Sequence, residues 1–430
     1  MNGIVDIIAA LFVIATFFAY INHKVIKLPP AIGMMVAALT ASIVLVGVES
    51  FFPEARIAIM VHEAISSIDF SFTLMHVMLS FLLFAGALHV DLEALKKWWA
   101  AIFALAGIGT IISTVIVGLG TWLVLDLIDL SVPLAWCMVF GALISPTDPV
   151  AVLGIMKAAR APKDVEIKVV GESLFNDGVG VVIFAILVAF ASGSDGHGGH
   201  ELDAVGIAIL VVQEIVGGVL LGLMGGFLTY YAMRTLDEPY LEMLLSLGLV
   251  MGIILVAFNL HFSAPLASVV AGLFIGNRGR AFAMSERTRD TLDTIWTFFD
   301  ETLNALLFLM IGFEFIIIEL KWPYALAVVL IVIVCLFARL VAVFVPLTAL
   351  ATLRSFRTGT RRLLFWGGLK GGISVALALS LPKFEGREII LTITYGVVVA
   401  SILMQGLTIG KLIQRLMPPD ETEPADAAAH

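Results

Sequence analysis

The chain has little charge. Only 14% of its 430 residues are Asp, Glu, Lys or Arg, against 60% hydrophobic, and its mean hydropathy is +1.06. A soluble domain needs a polar surface, so this composition excludes one and indicates a polytopic membrane protein. Cysteine is nearly absent too. Cys137 and Cys335 both lie inside apolar runs, which excludes a disulfide framework or a paired metal motif and leaves them as packing residues. Met1 is followed by neither a basic n-region nor a small-residue cleavage site, and Asp6 interrupts the first apolar stretch, so no removable signal peptide is expected. Long polar segments are lacking as well. The longest outer connection, Gly193-Ser-Asp-Gly-His-Gly-Gly-His200, reads as a solvated linker, the alternative being a metal-binding or pH-sensing role for His197 and His200. The tail 419–430 is too short and polar to fold. With a net charge of -9, no nucleic-acid partner is expected.

What is present is apolar sequence in windows long enough to cross a bilayer. Taking roughly 20 apolar residues as one span, thirteen windows emerge at 3–22, 30–49, 69–89, 98–125, 133–156, 167–192, 205–233, 239–259, 263–276, 296–318, 322–350, 363–381 and 389–410. Charge placement tests this independently of hydropathy. Of the 25 lysines and arginines, nineteen fall in one alternate set of connections, including Lys168, Arg278, Arg357, Arg361 and Arg362. Only Arg56, Lys321, Lys383 and Arg387 fall in the other, while Arg339 and Lys370 stay inside spans. By the positive-inside rule the N-terminus is outside and the C-terminus cytoplasmic. The expected fold is all-α, with thirteen transmembrane helices in one unit over 1–418.

Two spans are interrupted. In the fifth, Ser145-Pro-Thr-Asp-Pro149 places two prolines and an aspartate mid-span, where proline removes a donor and clashes one turn back. In the twelfth, Gly367-Gly-Leu-Lys-Gly-Gly372 surrounds a lysine with four helix-weakening glycines. Open backbone at membrane depth is tolerated only where it is buried in protein or lines a wet cavity. The breaks lie seven spans apart, at the fifth position of each half if the seventh span is a linker. An odd offset makes the halves opposite in orientation, the arrangement of inverted-repeat secondary transporters with an ion site at the midplane. Half-helix ends carry partial charges, so Asp148 suits exposed N-termini and Lys370 exposed C-termini. Lys370 snorkelling to an interface is the alternative.

The sixth span adds Glu172, Ser173, Asn176 and Asp177. An intramembrane carboxylate costs at least about 2.5 kcal/mol on insertion scales and marks a functional site by default. Positions 173, 176 and 177 share a helix face, whereas Glu172 is rotated away from Asp177 by about 140°. Glu172 therefore needs another partner, and Arg339 of the eleventh span is the economical one, giving a structural ion pair.

Four segments carry a family resemblance: Ser145-Pro-Thr-Asp-Pro-Val-Ala-Val152, Gly171-Glu-Ser-Leu-Phe-Asn-Asp-Gly178, Leu307-Phe-Leu-Met-Ile-Gly-Phe-Glu314 and Gly367-Gly-Leu-Lys-Gly-Gly-Ile-Ser374. Over essentially the whole chain, and in order, they resemble the bacterial sodium/proton antiporters of the monovalent cation:proton antiporter-1 (NhaP) type. The resemblance implies a homodimer in the inner membrane, with a dimerisation domain and a moving six-helix core that contains 133–192 and 322–416. It implies electroneutral exchange of Na⁺ or Li⁺ for H⁺, with K⁺ left open, and no cofactor or enzymatic activity. Asp177 would be the shared carrier, and Ser173, the Thr147 carbonyl and Asp148 would lie near the Na⁺. Two positions depart from the pattern. Lys370 stands where many members have arginine, and Ala85 in Phe81-Leu-Leu-Phe-Ala-Gly-Ala-Leu88 stands where many have glutamate, so a funnel carboxylate is missing.

The residues themselves suggest competition. Desolvation favours the neutral form of a carboxylate and a bound cation the charged form, so proton and cation exclude each other. Asn176 cannot titrate, which predicts one proton per cation. A passive channel is disfavoured because channels use rings from repeated subunits, and an intramembrane aspartyl protease because Gly-x-Gly-Asp is absent. His76 and His89 are candidate pH sensors, packed histidines being the other reading.

Overall fold

A computed structural model describes residues 4–51, 77–148, 150–159, 161–193, 204–314, 322–352 and 356–417. Every regular element among them is helical. Hydrocarbon dictates this, because only a helix satisfies an isolated segment's backbone internally. In chain order the helices are α1 (Ile4–Ile21), α2 (Pro30–Phe51), α3 (Leu79–Leu88), α4 (Leu92–Leu127), α5 (Leu134–Ile144), α6 (Val150–Ala158), α7 (Lys163–Ser192) and α8 (Ala204–Met233). There follow α9 (Pro239–Leu260), α10 (Ala264–Phe274), α11 (Glu286–Glu314), α12 (Trp322–Leu350), α13 (Thr360–Trp366), α14 (Gly372–Leu379) and α15 (Arg387–Leu416).

Each apolar window falls on one of these helices or, for the fifth and twelfth, on a pair. Among the described residues, eight helices are long and apolar enough to cross a membrane by length and composition. Residues 69–76 of the third window with His76, Pro149 of the fifth, residues 315–318 of the tenth, the loop holding His197 and His200, and the tail 419–430 lie outside the described residues.

Several helices extend beyond their windows for local reasons. α4 begins at Leu92 because the Asp91 carboxylate accepts from the Glu93 and Ala94 amides and caps the first turn. α7 begins after Pro162, with Asp164 and Glu166 in its first turn, where the helix dipole favours acids. That start draws Lys168, expected at a connection, into the helix. It is fully buried, paired with Asp164 at 2.6 Å and seated 3.5 Å over the Trp98 ring. The first ten residues of α11 precede its apolar window, exposing Glu286, Arg287 and Asp290 while burying Thr288 and Leu292.

The apolar residues gather into two main cores. The larger surrounds the broken spans and draws on α1, α2, α4–α7, the C-terminal half of α11 and α12–α15. The second joins α3 to α8, α9, α10 and the N-terminal half of α11 around the buried Trp296. A third, smaller cluster lies along the seam, where Leu79 and Leu83 of α3 and Val269 of α10 meet Ile102 of α4 and Leu174 of α7. Both cysteines are buried and unpaired.

Candidate functional site

The two interruptions meet. α5 stops at Ile144 and α6 resumes at Val150, while Gly367–Gly371 is non-helical between α13 and α14. The Asp148 amide donates to the Leu369 carbonyl at 2.8 Å, so one open stretch bonds the other directly. The Lys370 ammonium donates to the carbonyls of Ser145 (2.9 Å) and Pro146 (3.3 Å), where α5 leaves its carbonyls without intrahelical partners. Lys370 is 5% exposed, which excludes the snorkelling alternative. Asp148 lies at the start of α14: a methyl group added to Gly371 would collide with its carboxylate. A cation thus sits on the C-terminal end of one half-helix and a carboxylate against the N-terminal end of another, each matching the local dipole.

α7 runs alongside and presents the predicted face. Asn176 accepts from the Thr147 amide at 3.3 Å and donates to the Thr147 hydroxyl at 2.9 Å. The Ser173 and Thr147 hydroxyls are hydrogen bonded at 3.1 Å. α7 comes this close because Gly180 leaves room for the Pro146 ring. Asp177 follows on the same face, 3% exposed, and its Oδ1 has no hydrogen-bond partner. The charges acting on it are those of Asp148 and Lys370. A buried carboxylate oxygen without a donor is costly, and a proton or a cation would relieve that cost.

Glu172 points the other way. Its carboxylate receives both terminal nitrogens of Arg339, Nη1 on Oε1 and Nη2 on Oε2, and Arg339 Nη2 also donates to the Leu364 carbonyl at 2.7 Å. The guanidinium lies against Gly368, where any larger side chain would displace it.

Sequence reasoning missed the supports of the second break. The Lys370 amide donates to the Ser401 hydroxyl at 3.0 Å, Ser401 donates to Gln405 at 2.6 Å, and Gln405 donates to the Trp366 carbonyl at the end of α13. At the first break the Ser145 hydroxyl donates to the Gly141 carbonyl at 2.7 Å and lies 2.9 Å from the Ser113 hydroxyl of α4, which can donate to it. A serine and a glutamine four residues apart in an apolar helix were the available signal. Two other candidates are placed elsewhere. Ala85 is buried against the second core. His89 ends α3, its Nδ1 at 2.8 Å from the Ala85 carbonyl and its Nε2 at 3.3 Å from Asp293, which also pairs with Arg280.

The sequence pattern of the transmembrane sodium/hydrogen exchanger family matches residues 12–415. The chain is 44% identical to the Na⁺/H⁺ antiporter NhaP of Pseudomonas aeruginosa, over 98% of this chain and 99% of that protein. It is 34% identical to the Na⁺/H⁺ antiporter NhaH of Halobacillus aidingensis over 91% of this chain and 93% of that protein. In structure it resembles the sodium proton antiporter MjNhaP1 of Methanocaldococcus jannaschii at pH 8, with a TM-score of 0.76 over 96% of this chain and 99% of that one at 19% identity. The match runs through both broken spans and nearly end to end, and the chain belongs to the sodium/hydrogen exchanger family.

Proposed function

We propose that this protein is a secondary antiporter that exchanges one Na⁺ or Li⁺ for one H⁺, with Asp177 as the group that holds either. The observation that carries this reading is the unpartnered Oδ1 of a carboxylate buried where two broken helices cross. Na⁺ as substrate needs several oxygens. Asp177, the Ser173 hydroxyl and backbone carbonyls opened at Thr147-Asp148 would supply them once Ser173 releases Thr147. Asp148 and Lys370 offset each other, Glu172 and Arg339 do likewise, and Asn176 is neutral. The site therefore carries one net negative charge when empty and none when loaded with either ion. Turnover should then be indifferent to membrane potential, although a single uncompensated charge would feel about 2.3 kcal/mol per 100 mV.

Access would alternate by movement of a core built from α5–α7 and α12–α15. Arg339 ties α12 to α7 and to the end of α13, which favours motion of these elements as one body. In the same reading the chain makes thirteen crossings as inverted repeats in the inner membrane, with N-terminus outside and C-terminus inside, and works as a homodimer. The test is proton movement in proteoliposomes on addition of Na⁺, Li⁺ or K⁺. Wild-type protein should respond at any imposed potential, and Asp177→Asn should not respond at all. Exchange by that variant, or a rate that follows the potential, would overturn the proposal.

A further inference from the structure

One cavity stands apart from the ion site. About 410 Å³ in volume, it opens where α12 ends, with Phe344, Phe356 and Leu416 as apolar walls and Arg357, Arg361 and Arg362 around it. Positive-inside bias accounts for arginines in this connection but not for three of them lining one hollow. The hollow is built. Arg361 is anchored to the end of α12 through the Thr348 hydroxyl and Leu347 carbonyl. Phe356 stacks on Trp98 of α4, with ring centroids 6.2 Å apart.

We infer that this cavity binds an anionic phospholipid of the cytoplasmic leaflet, its phosphate on the arginines and an acyl chain along α12. Basic hollows between transmembrane helices on the cytoplasmic side suit phosphate headgroups. The volume lies within the range of small-molecule sites. Along α12 the residues four and seven before Phe344 are Leu340 and Phe337, both exposed. At these spacings they share its face and extend the apolar wall roughly 10 Å into the bilayer. That stripe distinguishes a lipid from the other acidic occupant within reach, the chain's own tail with Asp420, Glu421, Glu423 and Asp426, which has no apolar run to cover it. The inference rests on the orientation proposed above, but not on transport.

The test is retention of phosphatidylglycerol against phosphatidylcholine by purified full-length protein in mixed micelles, read by mass spectrometry of the intact complex. Wild type should prefer phosphatidylglycerol, and the preference should weaken as salt rises. The double variant Arg357→Gln/Arg362→Gln, both exposed positions, should bind phosphatidylglycerol roughly thirtyfold more weakly. Arg234→Gln/Arg278→Gln, which removes equal charge outside the cavity, should bind like wild type. Equal retention of both lipids, no loss in the cavity variant, or equal loss in the control would overturn the inference. Displacement by inorganic phosphate at equal concentration would assign a free-anion site instead. Tenfold tighter lipid binding after deletion of 418–430 would assign the cavity to the tail. Labelling of Arg278→Cys from either side of sealed vesicles reads the orientation separately.

Discussion

Glu172 of α7 and Arg339 of α12 form a two-pronged ion pair across 167 residues of sequence, both nearly excluded from solvent. Removing one partner of a buried pair leaves an uncompensated charge and costs about 3–5 kcal/mol, whereas replacing both with apolar residues can be nearly neutral. Glu172→Leu or Arg339→Leu alone should lower thermal stability in detergent sharply, and the double replacement should restore much of it. A single variant with wild-type stability but altered apparent Na⁺ affinity would instead place the pair in ion binding.

Asn176 does more than decline to titrate. Its amide group donates to the Thr147 hydroxyl while its oxygen accepts from the Thr147 amide. An ionised carboxylate there could accept but not donate, and a protonated one could donate. Asn176→Asp should therefore be destabilised by about 1–3 kcal/mol near neutral pH, with stability recovering as pH falls. Thermal unfolding across pH measures this; a variant whose stability is flat with pH would contradict the assignment.

Gly178 and Gly180 sit on the same helix with different surroundings. A methyl group at Gly178 would meet only Leu266 at 3.8 Å, an ordinary contact, while one at Gly180 would strike the Pro146 ring. Gly178→Ala should be neutral or stabilising by up to about 1 kcal/mol. Gly180→Ala should cost about 1–3 kcal/mol and slow exchange, because it pushes α7 from the break. Unfolding midpoints and proteoliposome rates for the two variants decide the matter.

Lys370 supplies donors to two carbonyls at the end of α5. Lys370→Met leaves them unsatisfied and should cost about 1–3 kcal/mol, with loss of exchange because Asp148 is no longer offset. Lys370→Arg keeps a cation with donors and should retain both stability and exchange. A fully active methionine variant would show that the charge is dispensable.

Much of this site was legible in the sequence because prolines, glycines and isolated charges are conspicuous in apolar helices. The Pro146 and Gly367–Gly372 interruptions announced the breaks, and spacing alone put Ser173, Asn176 and Asp177 on one face with Glu172 off it. What was not legible depended on which helices are neighbours. Nothing local to Ser401 and Gln405 reveals that α15 packs against the second break, where they meet the Lys370 amide and the Trp366 carbonyl. Lys168 counted as a connection charge because nothing local reveals that Trp98 and Asp164 will receive it. Ala85 was judged against a funnel, whereas α3 turns that methyl group into the second core.

The half-helices have a further consequence. α5 and α6, with 11 and 9 residues, are each about 14–16 Å long, and α13 and α14, with 7 and 8, about 10–12 Å. No half can bridge a hydrocarbon layer of about 30 Å. Each broken span must therefore use both halves in series to cross, which puts its open backbone, with Thr147, Asp148 and Lys370, in the buried interior of the fold and not at a surface.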